Sequence, residues 1–176
     1  VAPGEGGGFA VIEGAVPGER VVVHVDDAHD QRAARETEKA AAGFENVVRL
    51  YDTSSGQLVR QLEGPCVDLR SVVYSPNGTQ LAAAGRNGQI RVWTMPSAIV
   101  ALNINGGRSR IRTLAYLPQG ESLVSAGESR TISIWDANSG ELRGELKPQS
   151  GKVLSMAVCG ENFIATGGSD NLVRVW

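Results

Sequence analysis

A beat of 42 residues limits what this chain can fold into. Trp93, Trp135 and Trp176 stand 42 and 41 residues apart, and Tyr51 lies 42 ahead of the first of them. Each aromatic closes a short alternating run: Val47-Val48-Arg49-Leu50-Tyr51, Gln89-Ile90-Arg91-Val92-Trp93, Thr131-Ile132-Ser133-Ile134-Trp135 and Leu172-Val173-Arg174-Val175-Trp176. Successive side chains of an extended backbone point to opposite faces, so alternation of period two in β-branched residues predicts strands. A unit this short cannot bury its apolar face alone, so each copy must pack against the next.

The copies also agree upstream and downstream of the aromatic strand. A glycine stands eight residues before each tryptophan, at Gly85, Gly127 and Gly168. Before it come apolar runs that predict a second strand, 81–84, 123–126 and 164–167. A third set, 69–74, 111–116 and 153–158, lies earlier in the same register. Pro76-Asn77-Gly78 and Pro118-Gln119-Gly120 supply turn residues between these two sets. Cys159-Gly160-Glu161 is shorter there, which accounts for the spacing of 41. After the aromatic strand, Asp52-Thr53-Ser54-Ser55-Gly56 and Asp136-Ala137-Asn138-Ser139-Gly140 predict a turn, followed by further strands at 57–62, 98–102 and 141–146. The 22 glycines, against nine aromatics and two methionines, agree with a turn-rich, all-β chain.

Four short strands per 42 residues is the pattern of a propeller blade. Over residues 47–176 the chain resembles the WD-repeat family, most specifically in Trp135-Asp136 and the downstream Gly140. A propeller of another family and a solenoid of β-arches are the competing architectures. The resemblance implies an all-β β-propeller of four-stranded antiparallel blades, and structural roles for Tyr51, Trp93, Trp135, Asp136, Thr166, Asp170 and Trp176. The chain departs from the family pattern in two ways. The Gly-His pair before the first strand is replaced by Gly64-Pro65-Cys66, Gly106-Gly107-Arg108 and Ser150-Gly151-Lys152. The aspartate before the aromatic strand occurs only as Asp170, with Asn87 and Ser129 at the matching places. The family's His–Ser/Thr–Asp–Trp network can form only in part, from Thr166, Asp170 and Trp176.

Residues 1–46 are harder to place. Phe9-Ala10-Val11-Ile12-Glu13 and 20–25 predict strands around a turn at Val16-Pro17-Gly18-Glu19. Pro17 lies 34 residues before Tyr51, whereas Pro76 and Pro118 lie 17 before their tryptophans. The surplus falls at residues 26–46. Within it, 31–42 is rich in Ala, Glu, Arg and Lys, with Asp30 as a start and Gly43 as a stop, which predicts a short helical insertion. The expected organisation is a linker at 1–8, a degenerate first blade at 9–63 carrying that insertion, blades at 64–105 and 106–147, and a partial blade at 148–176 without its last strand. In the rival reading, 1–46 is a linker ahead of three blades. Closed rings have about 4–8 blades, so three or four form an incomplete ring. The remaining blades are expected from the rest of a parent chain, seven in all by family resemblance, or from partner copies.

The chemistry-bearing residues are few. A net charge of -2 argues against electrostatic nucleic-acid binding, and no apolar run approaches a membrane span. Val1-Ala2-Pro3-Gly4-Glu5 has neither a basic start nor an apolar stretch, which favours a cytoplasmic location. Cys66 and Cys159 cannot build a disulfide framework or a four-ligand zinc site. Only His24 and His29 could serve as imidazole bases. Asp26-Asp27-Ala28-His29-Asp30 matches no ligand spacing and reads as an acidic helix start. Gly4-Glu5-Gly6-Gly7-Gly8 runs into a strand rather than a helix, unlike a phosphate loop. Asn77-Gly78-Thr79 fits a glycosylation acceptor but recurs as a turn. The strands 69–74, 111–116 and 153–158 carry no carboxylate or histidine, which disfavours a propeller hydrolase with a central metal. No catalytic residue, cofactor or metal is expected.

Arg70 and Arg112 recur at one place on the first strand, each two residues after a charged residue, Asp68 and Arg110. By resemblance this region lies on the rim where partners dock, together with Arg86 and Glu128. Arginine is enriched at interface hot spots, so these six form the candidate partner-binding rim. The expected function is a non-enzymatic protein–protein interaction scaffold. The alternative is a sensor or substrate-holding propeller domain of a larger enzyme, such as a kinase, protease-like or haem protein.

Overall fold

The structure, a computed structural model, describes residues 38–146, 150–160 and 163–176. Their strands form four antiparallel sheets, each a meander of consecutive strands. The first contains β1 (Glu38–Ala42), β2 (Val47–Asp52) and β3 (Leu58–Glu63). The second contains β4 (Leu69–Tyr74), β5 (Gln80–Gly85), β6 (Gln89–Thr94) and β7 (Ile99–Asn105). The third contains β8 (Ile111–Tyr116), β9 (Ser122–Gly127), β10 (Ile132–Asp136) and β11 (Leu142–Leu146). The fourth contains β12 (Val153–Cys159), β13 (Phe163–Gly168) and β14 (Val173–Val175). The architecture is all-β, and no helix occurs among the described residues.

The sheets stack face to face, which explains why the second strands are apolar on both sides. In β5, Leu81 and Ala83 pack toward the first sheet, in one cluster with Val48, Leu50 and Trp93. Their neighbours Ala82 and Ala84 pack toward the third, with Ile90, Leu114 and Trp135. All four β5 residues are fully buried. Small side chains there let one sheet lie against the large side chains of the next. A third cluster, including Val124, Ile132, Val153 and Met156, joins the third and fourth sheets. The first strands β4, β8 and β12 lie side by side, and Leu114 N–H donates to Ser71 Oγ across β4 and β8 at 3.0 Å. Trp93 is 2% exposed and Trp135 8%, whereas Trp176 is half-buried.

The expected helix is overturned where the described residues reach it. Glu38–Ala42 is strand β1, paired with β2 so that Ala41 faces Arg49. Ala40, Ala41 and Ala42 are buried at the place that Ala82, Ala83 and Ala84 occupy one beat later. Alanine favours a helix in isolation. Here burial of small side chains between two sheets outweighs that preference, as strand propensity follows packing. The rest of the expected insertion, 26–37, lies outside the described residues. So do the expected strands at 9–13 and 20–25, both histidines and the glycine run at 4–8.

The turns follow their sequences. Asp136 Oδ1 accepts the backbone N–H groups of Asn138 and Ser139, both at 2.8 Å, and Gly140 closes the turn at φ 76. Asp52 does the same for Ser54 and Ser55, with Gly56 at φ 68. In the copy between them Ala98 takes the left-handed position, at φ 58. Asn77 Oδ1 accepts from Thr79 N–H at 3.1 Å, so this segment is a side-chain-braced turn.

Candidate interaction surface

The first strand of each complete sheet carries a bulge at its start. Leu69 pairs with Gly85 but Ser71 pairs with Ala84, so Arg70 is the extra residue; Arg112 is extra in β8 by the same shift. A bulge re-aims the side chain it carries. The repeating glycine makes the close approach possible. An added Cβ at Gly85 would lie 2.3 Å from the Asp68 carbonyl oxygen, and one at Gly127 2.2 Å from that of Arg110.

The re-aimed arginines join an alternating belt of charge that runs across the second, third and fourth sheets at one end and meets the first sheet at Phe44. Phe44, in the turn between β1 and β2, lies 5.1 Å from the Arg70 guanidinium. Arg70 pairs with Asp68 at 2.7 Å, and Asp68 with Arg110 at 3.4 Å. Arg110 approaches Glu128 at 3.6 Å, and Arg112 donates to the same Glu128 oxygen at 2.8 Å. Lys152 closes the belt at 3.8 Å from Glu128. Asp68 sits at φ 59, a left-handed conformation that a short polar side chain tolerates. The Arg112 hydrogen bond, with the charges of Lys152 and Arg110, holds the Glu128 carboxyl below its usual range. The Nε–H groups of Arg70, Arg110 and Arg112 are buried without an acceptor. Each guanidinium is therefore committed to the belt by its terminal nitrogens alone.

Five of the six rim candidates, Asp68, Arg70, Arg110, Arg112 and Glu128, thus meet in one network. Arg86 does not: it is exposed and has no ion pair among the described residues. Sequence reasoning missed two members. Lys152 lies 42 residues after Arg110, which lies 42 after Asp68. Phe44 follows Gly43, which stands eight residues before Tyr51 as Gly85 stands before Trp93. Both were visible in the beat.

The structural residues divide similarly. Trp135 Nε1–H donates to Ser125 Oγ at 2.9 Å, and Trp176 Nε1–H to Thr166 Oγ1 at 3.0 Å. Ala83 stands at the matching place beneath Trp93 and offers no hydroxyl. Asp170 accepts from Arg174 at 2.7 Å, from Leu172 N–H at 3.2 Å, and from Ser150. Those bonds, Arg174 first, push its pKa far below the usual carboxylate value. Arg143 pairs with Asp136 at 2.5 Å and donates to Ser122 at 2.7 Å. Tyr51 is half-buried on β2, opposite Leu58.

Among the described residues, no group of three or more His, Cys, Asp or Glu could hold a metal ion. Cys66 and Cys159 are free thiols. No helix of the described residues is long and apolar enough to cross a membrane.

No curated protein sequence matches the chain. The family model described as "WD domain, G-beta repeat" matches residues 56–94, 101–136 and 140–176. Each match begins just before or within the last strand of one sheet and ends on or just past the third strand of the next. The first thus runs from β3 through β6, and the third from β11 through β14. Repeats of this family generally mediate protein–protein interaction, and proteins built from them are typically non-enzymatic. With the three matches spanning well over half of its residues, the chain belongs to the WD-repeat family.

Proposed function

We propose that the chain is a non-enzymatic protein–protein interaction scaffold whose partner docks at the belt end of the sheets. In this reading the sheets are blades of an incomplete propeller, with boundaries near 64–105 and 106–147, and further blades come from the rest of a parent chain. The observation that carries the reading is the belt. Its ion-paired side chains come from the second, third and fourth sheets, with Phe44 of the first sheet against Arg70, and they hold one another in place at one end of the strands. These ion pairs are partly buried, and the cost of desolvating their charges offsets much of their attraction, so a belt linking three sheets is better explained by the surface it presents. Pre-positioned arginines also lose less conformational freedom when a partner binds.

The test compares co-purification of partners by the full chain and two variants, with circular dichroism as the folding control. Arg110→Glu with Arg112→Glu should lose the partners that the parent retains. Glu141→Lys, at the opposite end of the sheets, should keep them. Equal recovery by both variants would move the docking surface elsewhere.

A further inference from the structure

Charge is divided between the two ends of the sheets. Around the belt, Arg70, Arg110, Arg112 and Lys152 share only Asp68 and Glu128. Four cations against two carboxylates leave an excess of two positive charges. Arg86, Arg108 and Arg130 stand on turns and loops at the same end, exposed and without an ionic partner among the described residues. Glu45 and Asp170, also at this end, are neutralised by Arg49 and Arg174, and Glu63 and Glu145 lie on the outer strands. At the opposite end the balance reverses: Glu38, Asp52, Glu121, Asp136 and Glu141 stand against Lys39, Arg60 and Arg143 among the described residues. The chain as a whole is negative, at -2, so the basic face is a local arrangement rather than a reflection of composition.

One of the three free arginines is also held against its backbone preference. Arg130 has φ 66, at the turn position that Gly88 and Asn171 fill in the sheets on either side. Glycine and asparagine adopt this conformation readily, and a long side chain does not. A strained residue on an exposed turn is better explained by what it presents than by stability.

We propose that this face binds an acidic, extended segment of a partner protein, with Arg86, Arg108 and Arg130 taking its carboxylates. This deepens the scaffold reading and rests on it. Arginine recognises carboxylates through two parallel N–H donors, and these three have no competing partner. The belt adds its excess of two positive charges at the same end. Phe44 and Val67, 58% and 57% exposed at the same end, offer contact to an apolar side chain beside the acidic ones. A nucleic acid fits less well, because the chain as a whole carries -2 and proteins that bind nucleic acid electrostatically are usually basic overall.

The test exposes the full chain to two synthetic peptide pools of equal length. One has Asp or Glu at alternate positions with random residues between them, and the other has Asn or Gln there. A fluorescein-labelled oligo-dT strand is titrated alongside. The acidic pool should be retained at least tenfold over the amide pool at low salt, and Arg86→Gln/Arg108→Gln/Arg130→Gln should abolish the difference. The inference is overturned if the pools are retained equally, if the triple variant keeps the preference, or if oligo-dT binds more tightly than the acidic pool. Failure here is separable from failure of the scaffold reading. If the triple variant keeps natural partners that Arg110→Glu/Arg112→Glu loses, docking stands and acidic recognition falls.

Discussion

Replacing Gly127 and Gly144 by alanine separates steric fit from glycine flexibility. Both lie in strands of the third sheet, and neither has a left-handed φ. At Gly127 the new Cβ would sit 2.2 Å from Arg110 O and 2.9 Å from Arg112 N. An ordinary contact needs about 3.4 Å or more, so the start of β8 must retreat by roughly 1 Å. That movement strains the Gly127–Ile111 pairing and the Glu128 N–H to Arg110 O bond, now 2.9 Å. Overpacking costs about 1–3 kcal/mol and a weakened hydrogen bond about 1, giving about 2–4 kcal/mol. At Gly144 nothing lies within 4 Å of the added Cβ, and restricting the unfolded chain gains about 0.4–1 kcal/mol. Urea unfolding of the full chain, followed by tryptophan fluorescence, reads the difference. With a slope of about 2 kcal/mol/M, the Gly127→Ala midpoint should fall by about 1–2 M while that of Gly144→Ala holds or rises. Equal midpoints for the two variants would refute the close-approach argument.

Three further outcomes follow from particular contacts. Ser125→Ala strands the Nε1–H of the nearly buried Trp135, so urea unfolding should show a loss of about 1–3 kcal/mol. Ser125→Thr should restore it, since Thr166 serves Trp176 in the same way. Ala98→Gly relieves a left-handed alanine where Gly56 and Gly140 stand in the neighbouring copies. The relief of about 1–2 kcal/mol is partly offset by chain entropy, so a gain of about 0.5–1 kcal/mol should appear in the urea midpoint. Asp136 is held at a pKa of about 2, chiefly by the Ser139 and Asn138 N–H groups and then by Arg143. A depressed carboxyl contributes stability above its ordinary value of 3.8 that is lost as pH falls toward 2. Urea midpoints measured across that window should fall less steeply for Asp136→Asn than for the parent.

The fold was legible because the 42-residue beat marks positions with no freedom. The glycine eight residues before each aromatic is fixed by the strand passing beneath it, and the aromatics by the cores between sheets. Strand β1 of the first sheet escaped because it reads Lys39-Ala40-Ala41-Ala42, and alanine carries no strand signature of its own. Only the stacked sheets on either side make alanine a strand residue, and that information is tertiary. Gly43, eight residues before Tyr51, held the clue. At the rim, the sequence pointed to charged residues but not to how they pair. That the Arg70 and Arg112 side chains are re-aimed depends on a one-residue shift in pairing between strands, and no local pattern encodes it. Arg86 belongs with the belt by its place in the repeat, one beat before Glu128, yet it is exposed and makes no ion pair among the described residues.

The family matches and the sheets are out of phase, and this makes the chain behave like a row of clasps. The segment 137–141 joins β10 to β11 inside one sheet, whereas 106–110 joins two sheets that share no strand pairing. A protease cut within 137–141 would leave each piece holding part of the same hydrogen-bonded ladder, so the two should still co-elute on gel filtration. A cut within 106–110 severs no ladder and leaves side-chain packing and a few cross-sheet contacts, such as Leu114 N–H to Ser71 and Asp68 to Arg110, to hold the pieces, which should part at a lower urea concentration.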